Sequence, residues 1–186
     1  MGERDVGRPA VFLDRDGVLN RALVQEGIPI PPADIAQFEV EPEAVKGCAR
    51  LKEAGFVLVV VTNQPDVGRG TQTRAVVEAM HEELRRAIPS LDAIEVCYHA
   101  GARHGEPCDC RKPKPGMLLR AALAHGLDLQ QSFLIGDRWR DVDCARAAGC
   151  RAVFIDRKYR EPLRAQPDFT VATFSEAIAT ILHAAA

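Results

Sequence analysis

The chain has 186 residues, 47% hydrophobic and 27% charged, which is enough apolar material for one domain with a buried core and too much for a disordered chain. Its 24 Lys and Arg against 26 Asp and Glu leave a net charge of -2, which argues against a broad nucleic-acid or membrane face and confines anion recognition to a local site. No apolar stretch approaches the roughly 20 residues of a membrane span, and the opening MGERDVGRPA lacks the apolar centre of a secretory signal, so a cytoplasmic protein is expected.

Short apolar runs alternate with stretches of helical period, the pattern of an α/β parallel sheet with helices on both faces. A first strand over residues 10–13 leads into Asp14-Arg15-Asp16-Gly17. Residues 20–41, with Pro29, Pro31 and Pro32, read as a long loop. A helix over 42–54 stops at Gly55. The run 56–61 is apolar throughout and mostly β-branched, as expected of a central strand covered on both sides, and Thr62-Asn63-Gln64 follow it. A helix over 73–88 ends before Pro89, and a strand over 93–96 precedes a second irregular segment, 97–115. Then come a helix over 115–125 closed by Gly126, a strand over 133–135 followed by Gly136-Asp137, and a helix over 141–148 closed by Gly149. A strand over 152–155, a short extended piece near Phe169 and a helix from about Ser175 complete a single domain spanning residues 1–186.

In an open parallel sheet, ligands gather beyond the carboxyl ends of the strands. The first polar residues there are Asp14 and Asp16, Thr62 and Asn63, Cys97 and His99, and Asp137. Each Asp alone reads as a turn or cap residue. Together they deliver carboxylates and a hydroxyl from separate strands to one rim. Asp14 and Asp16 are i and i+2 of an extended segment, so their side chains share one side about 6 to 7 Å apart along the chain. Such crowding calls for a hard divalent cation. Mg²⁺ suits Asp14 and Asp137, with the Asp16 main-chain oxygen and waters completing the shell and the Asp16 side chain left free to carry a proton.

Four segments, Leu13-Asp14-Arg15-Asp16-Gly17-Val18-Leu19-Asn20, Val61-Thr62-Asn63-Gln64, Cys110-Arg111-Lys112-Pro113-Lys114-Pro115-Gly116-Met117 and Ile135-Gly136-Asp137, resemble in order and spacing the four motifs of haloacid dehalogenase superfamily phosphatases. The likeness covers about residues 10–150 and is nearest to the heptose 1,7-bisphosphate 7-phosphatases, with the histidinol-phosphatases next. It implies a Rossmann-like fold and a Mg²⁺-dependent phosphomonoesterase. On that pattern Asp14 is the nucleophile that forms an aspartyl phosphate, and Asp16 is the general acid and then base. Thr62 and Lys112 hold the phosphoryl oxygens. Asn63, Gln64, Arg111, Lys112 and Arg138 contact substrate, Arg138 standing where relatives often carry Lys. Asp14, Asp16 and Asp137 hold the Mg²⁺. Asp141 reads either as a helix cap or as a group that orients the metal from behind.

Cys97-Tyr98-His99, then eight residues, then Cys108-Asp109-Cys110 supply three thiolates and an imidazole, a tetrahedral set suited to structural Zn²⁺ in a loop at about 97–110. The zinc loop of the resembled family shares this pattern, and its task would be to pin Arg111 and Lys112. Ordinary loop cysteines are the alternative, and His104 is an alternative to His99. Cys48, Cys144 and Cys150 read as packed thiols. Nothing near His81, His125 or His183 marks them out, beyond the helix-terminal place of His125.

Too little chain remains after the first and second motifs for a separate cap domain, so an open cleft is expected between the Pro-rich loop and the zinc loop. With Lys112 on the transferring phosphoryl group, Arg111 is free for a second phosphate, which suits a small sugar bisphosphate as partner. Gln25, Glu26 and Gly27 are placed by position near sugar hydroxyls. A monomer that binds neither nucleic acid nor membrane is expected. Histidinol phosphate or another small sugar or polyol phosphate is the alternative substrate, and a non-catalytic zinc-stapled phosphate-binding module is the alternative of another class.

Overall fold

The protein is described by a computed structural model that covers residues 7–185. Most of the opening segment read above as lacking a signal, residues 1–6, therefore lies outside the described residues, as does Ala186.

Strands β1 (Arg8–Leu13), β4 (Val57–Asn63), β5 (Ala93–Cys97), β6 (Leu127–Gly136), β7 (Arg151–Ile155) and β8 (Phe169–Val171) form one sheet in the order β5-β4-β1-β6-β7-β8. Every neighbouring pair is parallel. Helices α1 (Pro42–Glu53), α3 (Arg74–Ala87) and α6 (Phe174–Ala184) cover one face, and α4 (Gly116–His125) and α5 (Trp139–Ala148) the other. The short α2 (Pro65–Gly68) follows β4.

Side chains of β1 and β4 alternate between two cores. Val11, Leu13, Leu58 and Val60 pack with Leu51, Leu84 and Ile178 on one face. Ala10, Phe12, Val57, Val59 and Val61 pack with Met117, Ala121 and Val142 on the other. A strand with two buried faces can afford no polar position, which is why 57–61 reads as an unbroken apolar run. Phe133 packs edge-on against Phe56 at 6.1 Å between ring centroids. Truncating such a buried ring costs about 3–5 kcal/mol.

Three expectations are corrected. Residues 20–41 are not wholly irregular: β2 (Leu23–Gln25) and β3 (Ile28–Ile30) pair antiparallel, turning at Glu26 and Gly27, both with positive φ. Three-residue strands, the second with Pro29 at its centre, are too short for alternation to show. Strand β6 begins directly after Gly126 rather than at Phe133, because its first half carries Asp128, Gln130 and Gln131 at the solvent end of the sheet. Helix α5 begins at Trp139, which puts Asp141 inside the first turn.

The connections after β1, β4, β5 and β6 all leave from one edge of the sheet, because the strands run the same way. Asp14, Gln64, Tyr98 and Asp137 are the residues that follow those four strands.

Candidate active site

Asp14 continues the β1–β6 ladder by one bond, its amide donating to the Ile135 carbonyl at 3.0 Å. Asp137 leaves β6 one residue after Gly136, so the two carboxylates project from adjacent strands. The carboxylates of Asp14, Asp137 and Asp141 lie within 4.8 Å of one another, all buried.

The site is electrostatically crowded. Burial, reinforced by Asp141, pushes the Asp14 carboxyl up to about 6, against the pull of Lys112. Burial and the neighbouring Asp14 and Asp141 raise Asp137 well above the usual carboxylate range. Lys112 is the counterweight: its Nζ lies 2.8 Å from Asp14 Oδ1, 2.6 Å from Asp141 Oδ1 and 2.8 Å from the Val61 carbonyl it donates to. Burial alone would neutralise this ammonium, but the two carboxylates outweigh it and raise its pKa. Asp137 Oδ2 accepts from Tyr159 Oη at 2.9 Å, while its Oδ1 is buried without a hydrogen-bond partner. Three carboxylates, one ammonium and one orphaned oxygen fit a hard divalent cation.

Gly17 is forced by this arrangement. Its φ is +88°, and a Cβ there would stand 1.8 Å from Asp137 Oδ2.

Asp16 takes a different direction from the carboxylate group. Its oxygens accept from the Arg15 guanidinium, from Asn20 Nδ2 at 3.2 Å and from Gln64 Nε2 at 2.9 Å. The third member of the carboxylate group is Asp141, which also accepts from the Arg138 amide at 3.1 Å, so capping and contact with Lys112 coexist in one side chain.

A cavity of about 310 Å³ opens over these groups. Asp14, Asp16, Asn63, Arg111, Lys112, Asp137 and Arg138 line it. Thr62 and Gln64 lie buried behind it, the Gln64 amide donating to Thr62 Oγ1 at 2.8 Å. The Asn63 amide grips the Lys112 backbone from both sides, at 3.1 and 3.0 Å. Arg138 pairs with Glu161, which also accepts from Trp139 Nε1 at 2.8 Å and from Arg140 at 3.3 Å. Residues 25–27 do not line the cavity; Ala22 and Pro29, Ile30 and Pro31 do.

Sequence reasoning missed Arg69 and Arg140, which line the cavity beside Arg111. Arg140 lay in the Arg138-Trp139-Arg140 run, a visible signal. Tyr159 and Glu161 carried none, since each meets its partner some twenty residues away in the chain.

Cys97, His99, Cys108 and Cys110 converge, with His104 outside the group. Separations are 3.7 Å between the Cys97 and Cys108 sulfurs, and 3.5 and 3.2 Å from His99 Nδ1 to the Cys97 and Cys110 sulfurs. A tetrahedron with Zn–S bonds near 2.3 Å has sulfurs ~3.8 Å apart, close to the Cys97–Cys108 separation, so the donor set suits zinc. Cys48, Cys144 and Cys150 lie outside that group, and burial pushes each thiol up to about 12.

Residues 109–177 match the family described as HAD-hydrolase-like. The chain is 37% identical over 160 residues to a D-glycero-β-D-manno-heptose-1,7-bisphosphate 7-phosphatase of Pseudomonas aeruginosa, covering 81% of this chain and 82% of that one. It is 38% identical over 148 residues to the enzyme of the same name from Escherichia coli K12, covering 75% and 74%. Among solved structures it is similar to a D,D-heptose 1,7-bisphosphate phosphatase from B. bronchiseptica complexed with magnesium and phosphate (TM-score 0.79, 28% identity, 95% of this chain and 99% of that one). A HAD-like protein from Mesorhizobium loti gives a TM-score of 0.78 at 29% identity, covering 100% of this chain and 90% of that one. The carboxylate-bearing strand ends, the parallel α/β sheet and these relatives together mean that the chain belongs to the haloacid dehalogenase-like phosphatases, in the family of the heptose-1,7-bisphosphate 7-phosphatases.

Proposed function

We propose that the protein is a Mg²⁺-dependent phosphomonoesterase that removes the 7-phosphate of D-glycero-β-D-manno-heptose 1,7-bisphosphate and leaves the anomeric phosphate in place. The observation that carries this reading is the buried Asp14–Lys112–Asp141 bridge facing Asp137 at the floor of an arginine-lined cavity. What supports the substrate and the anomer is the activity for which the Pseudomonas aeruginosa and Escherichia coli relatives are named.

Asp14, Asp137 and the Asp16 main chain would hold the cation, which supplies charge neutralisation between the reacting carboxylate and the phosphate when bound. Asp14 attacks phosphorus in line, forming the Oδ–P bond of an aspartyl phosphate as the bond to the sugar oxygen breaks. Asp16 gives that oxygen its proton. Water then attacks the phosphorus, Asp16 takes the proton back, and inorganic phosphate leaves with Asp14 regenerated. Lys112 holds an equatorial oxygen throughout and is kept aimed by Asp141, by the Val61 carbonyl and by the clasp of Asn63. Thr62 and Gln64 build the wall behind Asp16.

Arg69, Arg111 and Arg140 are the cations for the second phosphate, while Pro29 to Pro31 offer an apolar wall to the carbon chain. The zinc cluster is structural, because four protein ligands leave no open position. The chain works as one capless domain, a monomer in the cytoplasm; no helix among the described residues is long and apolar enough to cross a membrane.

Release of phosphate from heptose 1,7-bisphosphate, fructose 1,6-bisphosphate and histidinol phosphate, each with Mg²⁺, tests the reading. Preference for the heptose substrate and loss of activity in Asp14→Asn are expected. An unimpaired Asp14→Asn protein overturns the mechanism, and a histidinol preference overturns the substrate.

A further inference from the structure

Four residues that the chemistry above does not use form a polar chain ending at Asp16. The Tyr98 hydroxyl donates to Glu78 Oε1. Glu78 Oε2 lies 3.4 Å from His81 Nδ1, and His81 Nε2 lies 3.3 Å from Arg15 Nη1. Arg15 Nη2 then donates to both oxygens of Asp16, at 2.9 and 3.0 Å. The side chains of Arg15 and His81 are 0% exposed, whereas that of Asp16 is 23% exposed and borders the cavity.

Hydrogen-bond chemistry fixes the direction of the chain. A guanidinium only donates, so His81 Nε2 must accept, and the ring proton belongs on Nδ1, facing the Glu78 carboxylate. Burial, together with the Arg15 charge, lowers the His81 pKa to about 4, which keeps the ring neutral and Nε2 available. Phe38 lies under the guanidinium at 5.4 Å, covering its face without supplying an acceptor.

We propose that His81 is a positioning residue for the general acid: it fixes the Arg15 fork from behind, and the fork aims the Asp16 carboxylate at the leaving oxygen. The inference rests on the phosphatase reading and assigns His81 no contact with substrate. Without an acceptor on α3, a buried Arg15 Nη1 would be stranded, and the fork would turn away from Asp16 to satisfy it. Glu78, one helical turn earlier on the same face, holds the imidazole in the tautomer that accepts.

The test uses two variants and two substrates. Gln at 81 carries an acceptor oxygen about as far out as Nε2; Asn reaches only as far as Nδ1. Loss of general acid help should show only where the leaving group needs a proton, and kcat/KM reports the phosphoryl-transfer half of the reaction. In His81→Asn, kcat/KM for an alkyl phosphate is expected to fall about tenfold or more, while that for p-nitrophenyl phosphate holds within about twofold. His81→Gln is expected to retain both. Equal falls on both substrates, or none on either, overturn the inference. Should His81→Asn fail to fold, Arg15→Lys, which keeps the charge but cannot bridge His81 and Asp16 together, must show the same selective loss. A wild-type protein that turns over neither ester would instead defeat the phosphatase reading itself.

Discussion

Lys112 Nζ lies 2.8 Å from Asp14 Oδ1, so a cation carried by the loop after β5 touches the carboxylate at the end of β1. Removing it leaves three buried carboxylates without their counter-charge. Breaking a buried ion pair from one side costs about 3–5 kcal/mol. Lys112→Met is expected to lose phosphate release about 10²-fold or more. The metal-free variant is expected to unfold at lower denaturant, with saturating Mg²⁺ restoring much of the difference. Denaturation curves with and without Mg²⁺ check this, and a variant as stable as the parent in EDTA would refute it.

The zinc cluster precedes Lys112 by two residues, so emptying it should be felt at the chemistry. About one zinc per purified chain is expected. Cys108→Ser should lower both the zinc content and the thermal midpoint, with activity falling alongside. Elemental analysis and thermal melts decide; unchanged metal content and stability in Cys108→Ser would contradict the assignment.

Arg140 sits beside Arg111 in the cavity, and the proximity of their charges, after burial, lowers the Arg111 pKa. A doubly charged phosphate relieves that repulsion. Arg140→Ala is expected to raise KM for the bisphosphate about tenfold, the equivalent of one charge-assisted bond. KM for a monophosphate ester should stay nearly constant. Steady-state kinetics on the two substrates separate the outcomes, and equal changes would remove Arg140 from the second phosphate.

His81 gives a pH dependence of known sign. Burial first, and the Arg15 charge second, lower its pKa from the ordinary 6.5 to about 4. A group whose folded pKa is depressed in this way stabilises the fold above its unfolded pKa, and the stabilisation drains as pH falls from about 6.5 toward 4, where the unfolded chain binds the extra proton. Denaturation midpoints across that window should drop more steeply in the parent than in His81→Gln. Parallel profiles would show that His81 is not the group responsible.

Much of this was legible in the sequence because it depends on local pattern. The run 57–61 has both faces buried, so its composition alone announces a central strand. The glycines at 126 and 149 take left-handed φ and stop their helices where expected. Cys97, His99, Cys108 and Cys110 fall in two short clusters whose spacing already fits one metal. What stayed hidden depends on partners far along the chain. His81 meets Arg15 across 66 residues, and Arg138 meets Glu161 across 23, with no periodicity to link them. Asp141 could not be assigned from sequence because its carboxylate both accepts from the Arg138 amide and touches Lys112, a residue far from it in the chain. The β2–β3 hairpin escaped for another reason: its strands are shorter than the window in which alternation can be counted.

Leu13 and Ile135 are register partners on β1 and β6, and Asp14 and Asp137 follow within two residues of that rung. Their separation is therefore set by the innermost rungs of the sheet and is insulated from the peripheral segments that frame the entrance. Insertions or exchanges in the hairpin, or in the turn after β4, can reshape which guest is admitted while the carboxylates of Asp14 and Asp137 stay where the ladder puts them. Such a division lets one scaffold be retuned for new esters by changing its rim alone.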